Sequence, residues 1–359
     1  MKKEDFIRKG TLLLIKNDVE TLTQLGTRME SPTSLMLLPY ICLCCNEALN
    51  YMEYNLIAEY LTSSPISYTE VRNKLKLFSN RYGKSIKQIK LVDSRQDNEF
   101  KAKLRFKWME NWKIHYNLGI YSTPQGHVVG NTQYIAFLLQ NPLFNLNEDS
   151  NTLYEFGFFL GSVLQRISQD LNFLQLDSKI NMNEVLMDWH YKDFHTDKKF
   201  NLFLEMEDGK ELTLFLLHLL STVNFVGYEL PRFVSNENPW LLRIQYITAH
   251  YVNESLNRIK NMDLPHKALI SEEVKDNSLL NSTFRSCMFH YGFYNKGECS
   301  IKDEYLHEEL FFGLIESCFE GKSYEEYQKL LVRKIFSLSK TMETLLPLPV
   351  HCFKPLSGK

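Results

Sequence analysis

In the run Phe284-Arg285-Ser286-Cys287-Met288-Phe289-His290-Tyr291-Gly292-Phe293, a permanent cation and a group that titrates near neutrality stand five residues apart. Histidine, with an ordinary pKa of about 6.5, takes or gives a proton at neutral pH. Arginine offers phosphate oxygens a planar charged fork and stabilises negative charge as it develops. Such a pair suits acid–base chemistry on a phosphate ester. On one helix, residues five apart diverge by about 140°. Arg285 must therefore curl round to meet His290, or two copies of the chain must complete one cleft.

The other constellations are weaker. Gly83-Lys84-Ser85 has the ending of a phosphate loop, but Phe78 stands where the first glycine belongs and no apolar strand precedes it. His190 and His195, with Asp188 and Asp193, are spaced by five and lack a partner pair, so exposed loop residues are expected there. Cys42, Cys44 and Cys45 cluster without a second ligand pair at knuckle spacing. A second arginine and histidine, Arg243 and His250, lie six intervening residues apart on the preceding helical segment. No metal and no cofactor are expected.

The elements that must hold Arg285 and His290 are helical. The chain has 359 residues, 44% of them apolar, with 15 Gly and 11 Pro, fewer turn-formers than average. That composition excludes disorder and fibres, and the length points to two domains. Helical spacing runs through Thr11–Met29, Met36–Leu61 and Leu153–Leu174, and Ser67 with Glu70 signals a helix start. From Glu99 to Val129 partial alternation and Pro124-Gln125-Gly126 leave a short hairpin or an irregular helix open. Beyond a polar stretch, four helical segments follow: 210–230, 239–259, 278–293 and 304–345, the last broken near Gly321. Short connections between long helices are the pattern of an up-and-down four-helix bundle. The expected fold is mainly all-α: a mostly helical domain over 1–150 with at most a small β-hairpin, then a helical domain over 151–359 with its bundle core at about 208–346.

Charge is unevenly spread. The total is −2, yet residues 71–113 carry 13 Lys/Arg against four acids, a net of +9, leaving −11 elsewhere. Aromatic residues interleave with these cations, the pattern of a single-stranded nucleic-acid surface. Lys84, Lys87, Lys90, Lys101, Lys103, Arg105 and Lys107 are its candidate contacts. A solvated helix face balancing the acidic remainder is the alternative. No secretory leader is expected, since Glu4 and Asp5 follow Lys2 and Lys3 and the apolar stretch Thr11–Ile15 is short. The longest apolar run, Leu35–Cys45, falls well below the about 20 residues of a bilayer span. With an odd count of seven cysteines, these features lead us to expect a cytoplasmic chain with reduced thiols and no membrane partner.

Arg285, Ser286 and His290, placed in the third of four helical segments, resemble the motif of the HEPN superfamily. Its active members carry Arg, a polar residue, three further residues and His in a helical bundle. The resemblance covers about 208–346. It implies a metal-independent endoribonuclease in which Arg285, Ser286 and His290 are catalytic and the ribose 2′-hydroxyl attacks the adjacent phosphate. It further implies a homodimer with RNA as substrate, acting as a growth-arrest toxin or phage-defence effector, with an antitoxin or other partner protein. Family nucleases usually have Asn, Asp or His after the Arg, where this chain has Ser286. The alternative is therefore a catalytically inactive HEPN-like module for dimerisation, partner binding or nucleotide binding.

Overall fold

The computed structural model describes residues 2–29, 33–53, 64, 66–76, 82–102, 104, 106–112, 118–139, 150–172, 189–194, 204, 206, 208–295 and 297–346. The described residues are mainly helical. Helix α1 (Lys3–Arg28) begins eight residues before the periodic stretch, with Glu4 and Asp5 in its first turn where the helix dipole favours acids. It turns Ile7, Leu14, Ile15, Val19, Leu22 and Leu25 inward. A 3₁₀ turn (Thr33–Leu37) leads into α2 (Leu38–Tyr51), with Pro39 in the first turn. The segment expected to stay helical to Leu61 leaves α2 at Tyr51, and 54–63 lie outside the described residues. Cys42, Cys44 and Cys45 are buried in α2, where burial pushes each thiol well up.

Helix α3 (Tyr68–Asn73) is capped as expected: the Ser67 side chain accepts from the Glu70 backbone N–H. A 3₁₀ turn (Lys74–Lys76) follows it. Helix α4 (Tyr82–Ala102) absorbs the start of the ambiguous Glu99–Val129 stretch, and β1 (Leu118–Ser122) and β2 (Val128–Asn131) form a hairpin at its end. Gly126, at φ 91°, makes the turn between them. The sheet exceeds a hairpin: β3 (His190–Phe194) pairs antiparallel with β1, giving the order β2-β1-β3. Its polar, largely exposed residues carried no apolar alternation to read. His190 and Asp193 are therefore strand residues, while Asp188 and His195 lie outside the described residues. Helices α5 (Thr132–Leu138) and α6 (Ser150–Asn172) follow.

Helix α7 (Gly209–Asn224) runs through a π-helical turn (Phe225–Glu229) into α8 (Leu230–Phe233). The whole span 209–233 is long and apolar enough to cross a membrane, but 89% of its apolar window is buried inside the protein. Helix α9 (Pro239–Ile259) matches its expected bounds, with Asn238 as cap and Pro239 at the first position. Then come α10 (Lys267–Lys275) and α11 (Ser282–His290), followed by the short pair β4 (Tyr294–Asn295) and β5 (Glu298–Cys299). The segment expected as one helix over 278–293 is thus nine residues long: Asn281 caps it, and Tyr291, at φ 50°, ends it. The last segment breaks as expected, α12 (Leu310–Cys318) and α13 (Tyr324–Leu345) being separated where Gly321 has φ 75°.

Helices α7, α9 and α13 pack against one another, and α11 lies on α9. Helix α1 also packs on α9, α2 on α11, and α4 on α7, so residues from both sides of 150 share one hydrophobic core. Residues 140–149 lie outside the described residues.

Candidate functional site

Helix α11 carries Arg285, Ser286 and His290, and its two ends are fixed differently. At the start, Asn281 Oδ1 accepts from the backbone N–H groups of Thr283 and Phe284 at 2.8 and 3.0 Å. At the end, Tyr291 sits in the left-handed region that a bulky residue rarely enters. A buried network holds it there. The Tyr291 hydroxyl donates to Asp18 Oδ2 at 2.5 Å, and the Arg243 guanidinium stacks 3.8 Å from the Tyr291 ring centroid. Arg243 also pairs with Asp18 and donates through Nε to the Met288 carbonyl at 2.5 Å. Burial pushes the Asp18 carboxyl upward against the pull of Arg243 and Tyr291. Arg243 is only 1% exposed. The alternative pair of the sequence therefore has its arginine in a dry structural tie between α1, α9 and the end of α11.

His290 and Arg285 leave α11 in different directions, as their spacing requires. His290 is 50% exposed in its side chain, and its Nδ1–H donates to Glu47 Oε2 at 2.9 Å. An ionised carboxylate can only accept, so Nδ1 carries the proton and Nε2 is left for chemistry. Glu47, on α2, is 4% exposed. Its other oxygen accepts from Asn46 Nδ2 at 2.7 Å and pairs with Arg72 of α3. Burial alone would raise the Glu47 carboxyl, but His290 and Arg72 outweigh it and hold the group below the usual range.

Arg285 is half-buried, and its guanidinium lies near the Tyr251 hydroxyl on α9. Among the described residues no hydrogen bond joins Arg285 to His290; the buried ring of Phe289 lies between their neighbourhoods. Tyr251 meets that ring edge-on at 6.0 Å and His290 meets it at 4.9 Å. Above it stand Arg72, its guanidinium carbon 4.7 Å from the ring centroid, and Lys76, its amine at 5.3 Å. Burial and the like charges of Arg72 and Arg285 hold the Lys76 amine below its usual value. Ser286 is half-buried and makes no side-chain hydrogen bond among the described residues. His250, also on α9, faces Glu254 at 3.3 Å.

By sequence, Arg285, Ser286 and His290 belong to one expected domain and the basic segment to another. The structure brings Arg72 and Lys76, both within that segment, to the motif helix. Glu47 was missed altogether: it is one acid in an apolar helix, 243 residues from its partner. The only trace of it in the sequence is a charge at a position whose neighbours are core residues. The remaining basic candidates lie elsewhere. Lys84, Lys87 and Lys90 are exposed on α4, opposite the buried Ile86, Ile89 and Val92, the solvated face of the alternative reading. Lys101 pairs with Asp97 at 2.5 Å. Lys107 is exposed beside Phe106 and Trp108, which stack at 6.0 Å. Lys103 and Arg105 fall outside the described residues. Among the described residues no group of three His, Cys, Asp or Glu side chains could hold a metal ion.

The arrangement has three parts: a half-exposed imidazole oriented by a buried carboxylate, a guanidinium near a tyrosine hydroxyl, and two further cations over an aromatic floor. Oriented imidazole supplies proton transfer, and the cations supply an anion site. The chain matches no protein-family model, no curated protein and no solved structure.

Proposed function

We propose that this chain is a metal-independent endoribonuclease of HEPN type that works as a homodimer, with His290 moving the proton and Arg285 holding the scissile phosphate. The observation that carries the reading is the buried Glu47 beneath a half-exposed His290. Carboxylate on Nδ1 fixes the tautomer and ring orientation, the arrangement that makes an imidazole an effective base in hydrolases. Nε2 takes the proton of a ribose 2′-hydroxyl as its oxygen attacks the adjacent phosphorus. The 2′-O–P bond forms, the P–O5′ bond breaks, and the departing 5′-oxygen takes up a proton. Arg285 neutralises the charge that builds on the phosphoryl oxygens. Because Arg285 and His290 diverge on α11, the second copy supplies the complementary groups across a two-fold axis. The cellular setting consistent with this activity is the cytoplasm, as a toxin or defence effector restrained by an antitoxin or other partner protein.

The test is cleavage of single-stranded RNA by the purified chain, with loss expected in both Arg285→Ala and His290→Ala. A wild-type chain that leaves RNA intact would overturn it. A second reading, an inactive module that dimerises or binds a partner or nucleotide, is favoured by Ser286 alone, whose side chain makes no hydrogen bond among the described residues where family nucleases usually carry Asn, Asp or His. It predicts a folded dimer without RNase activity.

A further inference from the structure

Three permanent or near-permanent cations, Arg72, Lys76 and Arg285, converge on the Phe289–Tyr251 rings, and their carboxylate neighbours are already engaged. Glu47 is used by Arg72 and His290, and Glu254 faces His250. Arg72 is also occupied: besides Glu47 it donates to Asn73 Oδ1 at 3.2 Å and lies over Phe289. Among the described residues no carboxylate forms a salt bridge with Lys76 or with Arg285; Glu47 acts on the first and Glu254 on the second only at longer range. Lys76 is half-exposed. An amine beside two guanidiniums, whose nearest carboxylate is already paired elsewhere, gains from a further anion. Burial first, and then the like charges of Arg72 and Arg285, hold the Lys76 amine below its usual value against the pull of Glu47.

We infer that Lys76, beside Arg72, forms a second phosphate subsite next to the one at Arg285, so that the site takes a single-stranded chain with at least two phosphates rather than one isolated diester. This rests on the reading of Arg285 as the ligand of the reacting phosphate. The two subsites come from different parts of the chain: the turn after α3 supplies one, and α11 supplies the other.

The test separates binding from cleavage by using an all-2′-deoxy oligonucleotide, which has no 2′-hydroxyl to attack. Its affinity for the full chain is measured by fluorescence anisotropy across a salt series, for wild type, Lys76→Gln and the charge-matched control Lys329→Gln, an exposed residue of α13. Each phosphate contact on a single strand contributes about 0.7 to the slope of log affinity against log salt. Lys76→Gln is expected to reduce the slope by about 0.7, with no change in the control. It should also weaken binding of the oligonucleotide while leaving that of a dinucleoside monophosphate unchanged. An unchanged slope in Lys76→Gln, or equal weakening toward both ligands, overturns the second subsite. If RNA is not cleaved but the Lys76 slope change appears, the nuclease reading fails and the two-phosphate subsite stands.

Discussion

His290 Nδ1 lies 2.9 Å from Glu47 Oε2, joining the end of α11 to the interior of α2 across 243 residues of sequence. The contact orients an imidazole that is half open to solvent by means of a carboxylate that is almost fully enclosed. It also joins distant parts of the chain into one site, because Glu47 is held in turn by Arg72 of α3.

Glu47→Gln removes the charge but keeps the shape, so it separates orientation from packing. Full loss of a general acid–base group costs about 10²–10⁴-fold. We expect a kcat reduction reaching into that range with little change in KM, measured by steady-state cleavage of an RNA oligonucleotide. A rise in KM with kcat unchanged would mean that Glu47 serves substrate binding and not His290.

Arg285→Ala and Ser286→Ala should part company. Arg285 lies near Tyr251 and the cation cluster, whereas the Ser286 side chain makes no hydrogen bond among the described residues. Cleavage by the Ser286 variant is expected within a few-fold of wild type, with the Arg285 variant reduced at least about 100-fold. Equal loss in both would assign Ser286 a role that its surroundings do not suggest.

The dry tie at Tyr291 makes a stability prediction. Removing one partner of a buried ion pair costs about 3–5 kcal/mol because the other charge is left uncompensated. Arg243→Met and Asp18→Asn should each lower unfolding free energy by that order in urea titration. A loss under about 1 kcal/mol in both would show that Tyr291 is held by packing alone.

Acid should weaken the fold through a different set of carboxyls. The Glu47 carboxyl is depressed by His290 and Arg72 against burial, Glu254 by the His250 imidazole facing it, and Asp276 by Ser278. A depressed carboxyl contributes stability that is full above its unfolded value of about 4 and is lost as pH falls through the folded value. The urea midpoint should therefore drop steeply below about pH 4, and less steeply in Glu47→Gln. An identical acid profile in that variant would contradict the assignment.

How far the sequence anticipates all this depends on the range of the interactions. Helix α9 is legible to the residue because Asn238, Pro239 and an apolar stripe act within a few positions. The break at Gly321 and the turn at Gly126 are local too. The third strand was not legible: β3 is a polar edge pairing with β1 about 70 residues earlier, and nothing in its own five residues announces that partner. The site follows the same rule. Arg285 and His290 share one helix and one motif, so their spacing was visible. Glu47, Arg72 and Lys76 reach them only through the packing of α2, α3 and the turn after it on α11 and α9. Arg243, conspicuous at nearly the same spacing from a histidine, proved to be the structural tie.

The most direct measurement of the central claim is the chemistry of the ends left on a defined RNA oligonucleotide, analysed by mass spectrometry after incubation with wild type and with His290→Ala in the presence of a chelator. Attack by the 2′-hydroxyl with His290 as the proton carrier predicts 2′,3′-cyclic phosphate and 5′-hydroxyl ends from wild type and cleavage reduced about 10²–10⁴-fold in the variant. Ends bearing 5′-phosphate and 3′-hydroxyl, or equal cleavage by His290→Ala, would contradict it.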